Sequence, residues 1–139
     1  MRPVAFIVAL ALSDAALACD GLEVSKAWVR EAPPGAEVMA GYAQLKNTSR
    51  DPIKIEGARS PQFGDVQMHR TEMENGQMRM RAEPQLLLEG DSTLTFEPGD
   101  LHLMLFEPKK PLKAGDHVTI KFDCGKHSSS GDFVVKAAE

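Results

Sequence analysis

Met68-His69-Arg70-Thr71-Glu72-Met73-Glu74-Asn75-Gly76-Gln77-Met78-Arg79-Met80 is the stretch on which the reading of the fold turns. Asn75-Gly76 stands between two runs of strand-like pattern. A type I′ turn needs φ > 0 at both central residues, which this dipeptide tolerates best. With those two residues as the loop, Glu74 pairs with Gln77, Met73 with Met78, Thr71 with Met80 and His69 with Ala82. Side chains alternate across a strand, so His69, Thr71, Met73, Met78, Met80 and Ala82 share one face. Glu72, Glu74, Gln77, Arg79 and Arg81 take the other. His69 and Met80 become diagonal neighbours with Cβ atoms roughly 7 Å apart, within reach of long side chains.

A second pair lies downstream in Leu101-His102-Leu103-Met104-Leu105-Phe106, where His102 and Met104 are two apart and also share a face. Between Met68 and Met104 the chain places five of its seven methionines and two of its four histidines. Imidazole plus thioether, without cysteine, is a soft ligand set suited to Cu(I). The two pairs converge on one site if their strands are neighbours. Methionine is more often core filler than ligand, and a lone strand histidine is more often a hydrogen-bonded structural residue. A hairpin whose other face is charged, however, has no core to build with so many methionines.

Working outward, 139 residues suit a single domain, and 42% hydrophobic residues suffice for a core. A formal charge of −4 without any Lys/Arg block argues against a nucleic-acid partner. Residues 1–18 read as an export signal: Arg2 is the positive region, Val4 to Leu12 the apolar run, and Ala16-Leu17-Ala18 the cleavage site. That run is too short for an ordinary transmembrane helix. The mature domain is then 19–139 of an exported protein. Cys19 and Cys124 are the two cysteines. In an exported chain such a pair suggests a disulfide. The competing reading is a lipid on Cys19, which would tether the protein to a membrane, although Ala16 stands where a lipobox has leucine.

Strands are expected over Leu22–Arg30, Val38–Asn47, Ile53–Ala58, the hairpin, Leu86–Leu88, Thr93–Phe96, Leu101–Phe106, His117–Phe122 and Phe133–Lys136. Ser60 to Gly64 and the serine-rich stretch after His127 read as loops. Short strands about ten residues apart, with no helical stretch, predict an all-β antiparallel sandwich. Cys124-Gly125-Lys126-His127 invites comparison with blue-copper centres, but no methionine follows His127. Ser128-Ser129-Ser130 lacks the strand–turn–helix context of a nucleophile elbow. No enzyme and no small-molecule substrate is expected. Asp65 and Glu72 are candidates to steer partners or to orient His69, and Met68, Met73 and Met78 to pack round the site or to supply secondary sulfur.

The spacing His69, ten residues, Met80, twenty-one residues, His102, one residue, Met104 resembles the His-x10-Met-x21-His-x-Met signature of the bacterial periplasmic copper chaperones called PCuAC. Glu74-Asn75-Gly76, Glu97-Pro98-Gly99, Lys109 to Asp116 and Ala32-Pro33-Pro34-Gly35 are similar to the same family, so the resemblance covers nearly all of the mature chain. It implies a cupredoxin-like β-sandwich of Greek-key type, with His69, Met80, His102 and Met104 holding one Cu(I). It further implies delivery to the copper-site subunit of a cytochrome c oxidase, with a second copper chaperone as a further partner. His127 is a candidate for weaker Cu(II) binding. Two rivals are a periplasmic storage or resistance protein that sequesters Cu(I), and a metal-free adhesion module with a sticky methionine surface.

Overall fold

Period-two alternation of apolar residues, interrupted by turn residues, builds eleven strands and no helix among the described residues. The computed structural model describes residues 3–5 and 19–138, so the expected export signal lies outside the described residues apart from 3–5. The strands are β1 (Leu22–Arg30), β2 (Val38–Asn47), β3 (Ile53–Ile55), β4 (Gly57–Arg59), β5 (Phe63–Glu74) and β6 (Gln77–Ala82). They continue with β7 (Leu86–Leu88), β8 (Thr93–Phe96), β9 (Leu101–Pro108), β10 (His117–Cys124) and β11 (His127–Lys136). The main sheet runs β4-β10-β11-β1-β2-β9-β5-β6, with β8 also on β2, while β3 and β7 form a separate pair. The architecture is the expected all-β, cupredoxin-like sandwich. One core closes it, with the Phe122 ring 6.1 Å from Phe96 and 6.5 Å from Phe133.

The alternation is clearest in β9. Leu101, Leu103 and Leu105 are buried in the core, which turns His102, Met104 and Phe106 to the opposite face. In β1 the inward positions slip from Val24 to Ala27 and Val29, and the cause is a bulge between Ser25 and Trp28. Lys26 there adopts φ 50°, as one extra residue in a strand requires.

Four sequence expectations are corrected. Ile53–Ala58 is not one strand, because Glu56 N–H donates to the Asp123 carbonyl at 2.8 Å and hands the chain from β7 to β10. Phe63 and Gly64 belong to β5 rather than to a loop, with Phe63 opposite Pro108 of β9. The serine-rich stretch is strand: Gly125 (φ 71°) turns the chain so that Cys124 pairs with His127. Ser128 and Ser130 are exposed and the Ser129 hydroxyl donates to the Cys19 carbonyl at 3.4 Å, while their backbone completes the ladder, so side-chain polarity misled the reading. Finally, β1 and β11 pair in parallel, the one exception to antiparallel order among the described ladders.

Cys19 and Cys124 form a disulfide with Cα atoms 5.5 Å apart, as the cysteine pairing suggested. In this structure the Cys19 sulfur is therefore not free to carry a lipid thioether.

Asn47 is the buried polar hub of the sandwich edge. Its amide donates to the carbonyls of Asp51, Leu88 and Glu89 at 2.7, 3.1 and 3.2 Å, and its oxygen accepts from the Ser49 N–H and hydroxyl. Replacing it removes a donor from the buried Leu88 carbonyl and unlinks the three segments that meet there. Asn47→Ala is expected to cost about 2–4 kcal/mol, read as a lower denaturation midpoint at unchanged slope.

Candidate metal centre

Hairpin chemistry and strand register together set the site. Asn75 (φ 50°) and Gly76 (φ 77°) make the expected turn, and the β5–β6 register is the one read from the sequence, from Glu74↔Gln77 to His69↔Ala82. What the sequence left open is which strand flanks β5 on its other side. It is β9, in a register that sets His69 directly opposite His102 and Gln67 opposite Met104. The two imidazole rings are 6.1 Å apart, centre to centre, with their planes inclined at 52°.

Each ring is held by one nitrogen and leaves the other bare. Gln67 Oε1 lies 2.8 Å from His69 Nε2, and the Asp100 carbonyl 2.8 Å from His102 Nδ1. Both oxygens accept, so these nitrogens carry the protons and the lone pairs sit on His69 Nδ1 and His102 Nε2. Those two atoms are buried and have no hydrogen-bond partner. Buried polar atoms are rarely left unpaired, and a metal-binding histidine characteristically anchors its other nitrogen in this way. The donor set therefore fits a soft metal ion. An imidazole–metal bond is about 2.0 Å, so the ring separation leaves room for one ion between them.

The supporting residues were partly missed from sequence. Gln67 Nε2 donates to Asp65 Oδ2 at 2.8 Å, so Asp65, Gln67 and His69 form a relay along one face of β5. The signal was available in their spacing of two. Asp65 thus acts on His69 through Gln67, whereas Glu72 does not: it faces away and lies 3.8 Å from Arg81. The Asp100 carbonyl also accepts from Thr71 N–H at 3.2 Å, while the Asp100 carboxylate takes Arg70 at 3.1 Å. Gln67→Ala leaves the ring of His69 free to turn and is expected to weaken metal binding about 10–100-fold, measured by competition with a chromogenic chelator.

The four candidate ligands are not equally gathered. His102 is 6% exposed, and half-buried Met104 follows it on the same face. Met80 shares the face but sits opposite Thr71, diagonal to His69, and is 64% exposed. Met68 is buried in the core on the other face, which removes it as a source of sulfur for this site. Met73 and Met78 are exposed on the ligand face of the hairpin. No cluster of three His, Cys, Asp or Glu side chains able to hold a metal occurs among the described residues, at His127 or elsewhere.

Burial, and then the neighbouring His102, hold the His69 pKa below its ordinary 6.5. In the unfolded chain His69 takes a proton near pH 6.5, but in the folded chain only at lower pH. The unfolded state therefore binds more protons between the two values, and stability falls as pH drops through that window. The metal-free protein is expected to lose stability as pH falls below about 6.5, and His69→Gln to lose less. Urea midpoints across that range check it.

Fold and site define a small β-sandwich with an imidazole–thioether cluster on one sheet face. The family model "Putative lipoprotein LpqE-like" matches residues 22–137, and the chain belongs to the LpqE-like family. "Putative lipoprotein Lxx21020" of Leifsonia xyli is 38% identical over 112 residues, covering 78% of this chain and 66% of that protein. "Uncharacterized protein RP573" of Rickettsia prowazekii is 32% identical over 84 residues, covering 60% and 46%. The chain thus spans less than two thirds of either relative. Among solved structures, the copper-bound PCuAC domain from PmoF2 has a TM-score of 0.70 at 22% identity, covering 85% of this chain and 94% of that one. The solution structure of CuI-DR1885 from Deinococcus radiodurans has a TM-score of 0.65 at 31% identity, covering 84% and 80%. The fold is that of the PCuAC domains.

Proposed function

We propose that this protein is an exported Cu(I) carrier whose mature domain, residues 19–139, takes up one ion and delivers it to the copper site of a respiratory oxidase. The observation that carries the reading is the pair of buried, unpartnered nitrogens His69 Nδ1 and His102 Nε2, on residues directly opposite in β5 and β9 whose rings are 6.1 Å apart. Kinship with a protein solved with Cu(I) supports the choice of metal. Copper is cargo here, bound and released unchanged. Two neutral imidazoles and two thioethers add no negative charge, so they favour the softer, singly charged ion over Cu(II).

His69 and His102 grip the ion from anchored rings, Met104 caps it from the same strand as His102, and Met80 closes from the hairpin. An exposed ligand on a two-stranded ribbon gives an incoming partner somewhere to begin ligand exchange. The test is an anaerobic Cu(I) titration of the mature protein against a chromogenic competitor, followed by mixing with a metal-free oxidase copper-site subunit. One tight equivalent that moves to the subunit supports delivery. One tight equivalent that stays behind makes the protein a store, and no tight equivalent overturns the copper reading.

A further inference from the structure

Three of the large apolar side chains exposed in this protein are methionines of a single hairpin: Met73, Met78 and Met80, at 68%, 67% and 64% exposure. The β5–β9 ladder ends at Arg70↔Leu101, so this part of the hairpin leaves the sheet as a two-stranded ribbon. Its other face is tied by Glu74–Arg79 and Glu72–Arg81 contacts of 3.6 and 3.8 Å. One face of the ribbon is thus charged and self-paired, and the other is a row of thioethers serving no core.

We propose that Met73, Met78 and Met80 form a second, all-thioether site for a soft monovalent cation, Cu(I) in the cell, from which the ion passes to the histidine site. Met73 and Met78 are directly opposite. In a two-residue hairpin the pair next to the closing pair exchanges no hydrogen bonds, and its side chains approach most closely, with Cβ atoms about 4.5–5.5 Å apart. Met80 lies two residues beyond Met78 on the same face, diagonal to Met73 at about 7–8 Å. Unbranched side chains with three rotatable bonds close such a triangle on one ion. A thioether is neutral, holds no proton and binds soft cations, so transfer is ligand exchange alone. Copper stays Cu(I), and one Cu–S bond breaks as each new bond forms.

Met80 makes the two sites one path. It belongs to the tip triangle and is also the diagonal neighbour of His69. An ion caught by three sulfurs at the tip is drawn inward when Met80 swings it toward the unprotonated nitrogens of His69 and His102. The tip site is weaker, since exposed side chains must be ordered to bind, and weakness suits a place of entry.

The inference rests on the Cu(I) reading, and its test separates the two. Ag(I) nitrate serves as redox-inert probe for the mature protein labelled with 13C at its methionine methyls. The first equivalent is expected to shift the Met104 and Met80 methyls, and the second those of Met73 and Met78. A Met73→Leu, Met78→Leu protein keeps the apolar surface but not the sulfur; it should keep the first equivalent and lose the second. His102→Ala should lose the first and still shift Met73 and Met78. Methyls of Met73 and Met78 that stay still through the second equivalent, although the first has bound, overturn the tip site and leave the histidine site standing. A double leucine protein that binds two equivalents like wild type overturns it as well. Methyls that are all silent overturn both.

Discussion

His102→Ala is expected to lower Cu(I) affinity by more than about 100-fold. Residues that only orient a metal ligand are worth about 10–100-fold, and His102 supplies a ligand atom itself. Its Nδ1 is committed to the Asp100 carbonyl and its Nε2 is buried without a partner, so no neighbouring group replaces the missing nitrogen. Because His102 is buried, the alanine protein also loses some packing. Met104→Leu is the companion measurement: it keeps volume and apolar character, costs less than about 1.5 kcal/mol of stability, and removes only the sulfur. Competition titration of both should show weakened Cu(I) binding, with circular dichroism confirming the fold. Wild-type affinity in both would remove His102 and Met104 from the ligand set.

Cys124→Ser is expected to lower stability by about 3–5 kcal/mol, the largest change in folding free energy anticipated for this protein. The bridge joins residues 105 apart in sequence, so it removes freedom from nearly the whole unfolded domain. It also ties Cys19, whose carbonyl accepts from Leu22 N–H at 3.0 Å at the entry to β1, to the end of β10. Guanidinium unfolding of wild type, of reduced wild type and of the serine variant checks the value. Reduction and substitution should agree within the cost of burying a serine hydroxyl. A Cys19→Ser, Cys124→Ser protein, which has no thiol to compete for the ion, should keep its Cu(I) affinity below the transition.

Much of the site was legible because strand geometry is local. Asn75-Gly76 dictates the hairpin register, and that register determines which face holds His69, Met73, Met78 and Met80. The spacing of two in His102-Leu103-Met104 does the same for β9. Gln67 was missed although it lies two residues before His69, because glutamine carries no metal-binding signal of its own. Its importance appears only when its oxygen is found on His69 Nε2. Met68 shows the opposite error. Its neighbours left packing and secondary sulfur both open, but odd and even positions on β5 face opposite ways, and Met68 packs in the core.

By itself the sequence determined the all-β class, the hairpin and the faces of its strands, while it left the two cysteines between a disulfide and a lipid on Cys19, which the structure resolves as a bridge. The first three follow from turn chemistry and a two-residue side-chain period, neither of which needs distant partners. The tertiary structure alone decided that β9 lies beside β5 with His69 opposite His102, that β1 pairs in parallel with β11, and that the chain leaves β7 for β10 at Glu56. Neighbouring strands are chosen by how the whole set of apolar faces closes over one core. That choice is made between residues far apart in the chain, where local patterns carry no information.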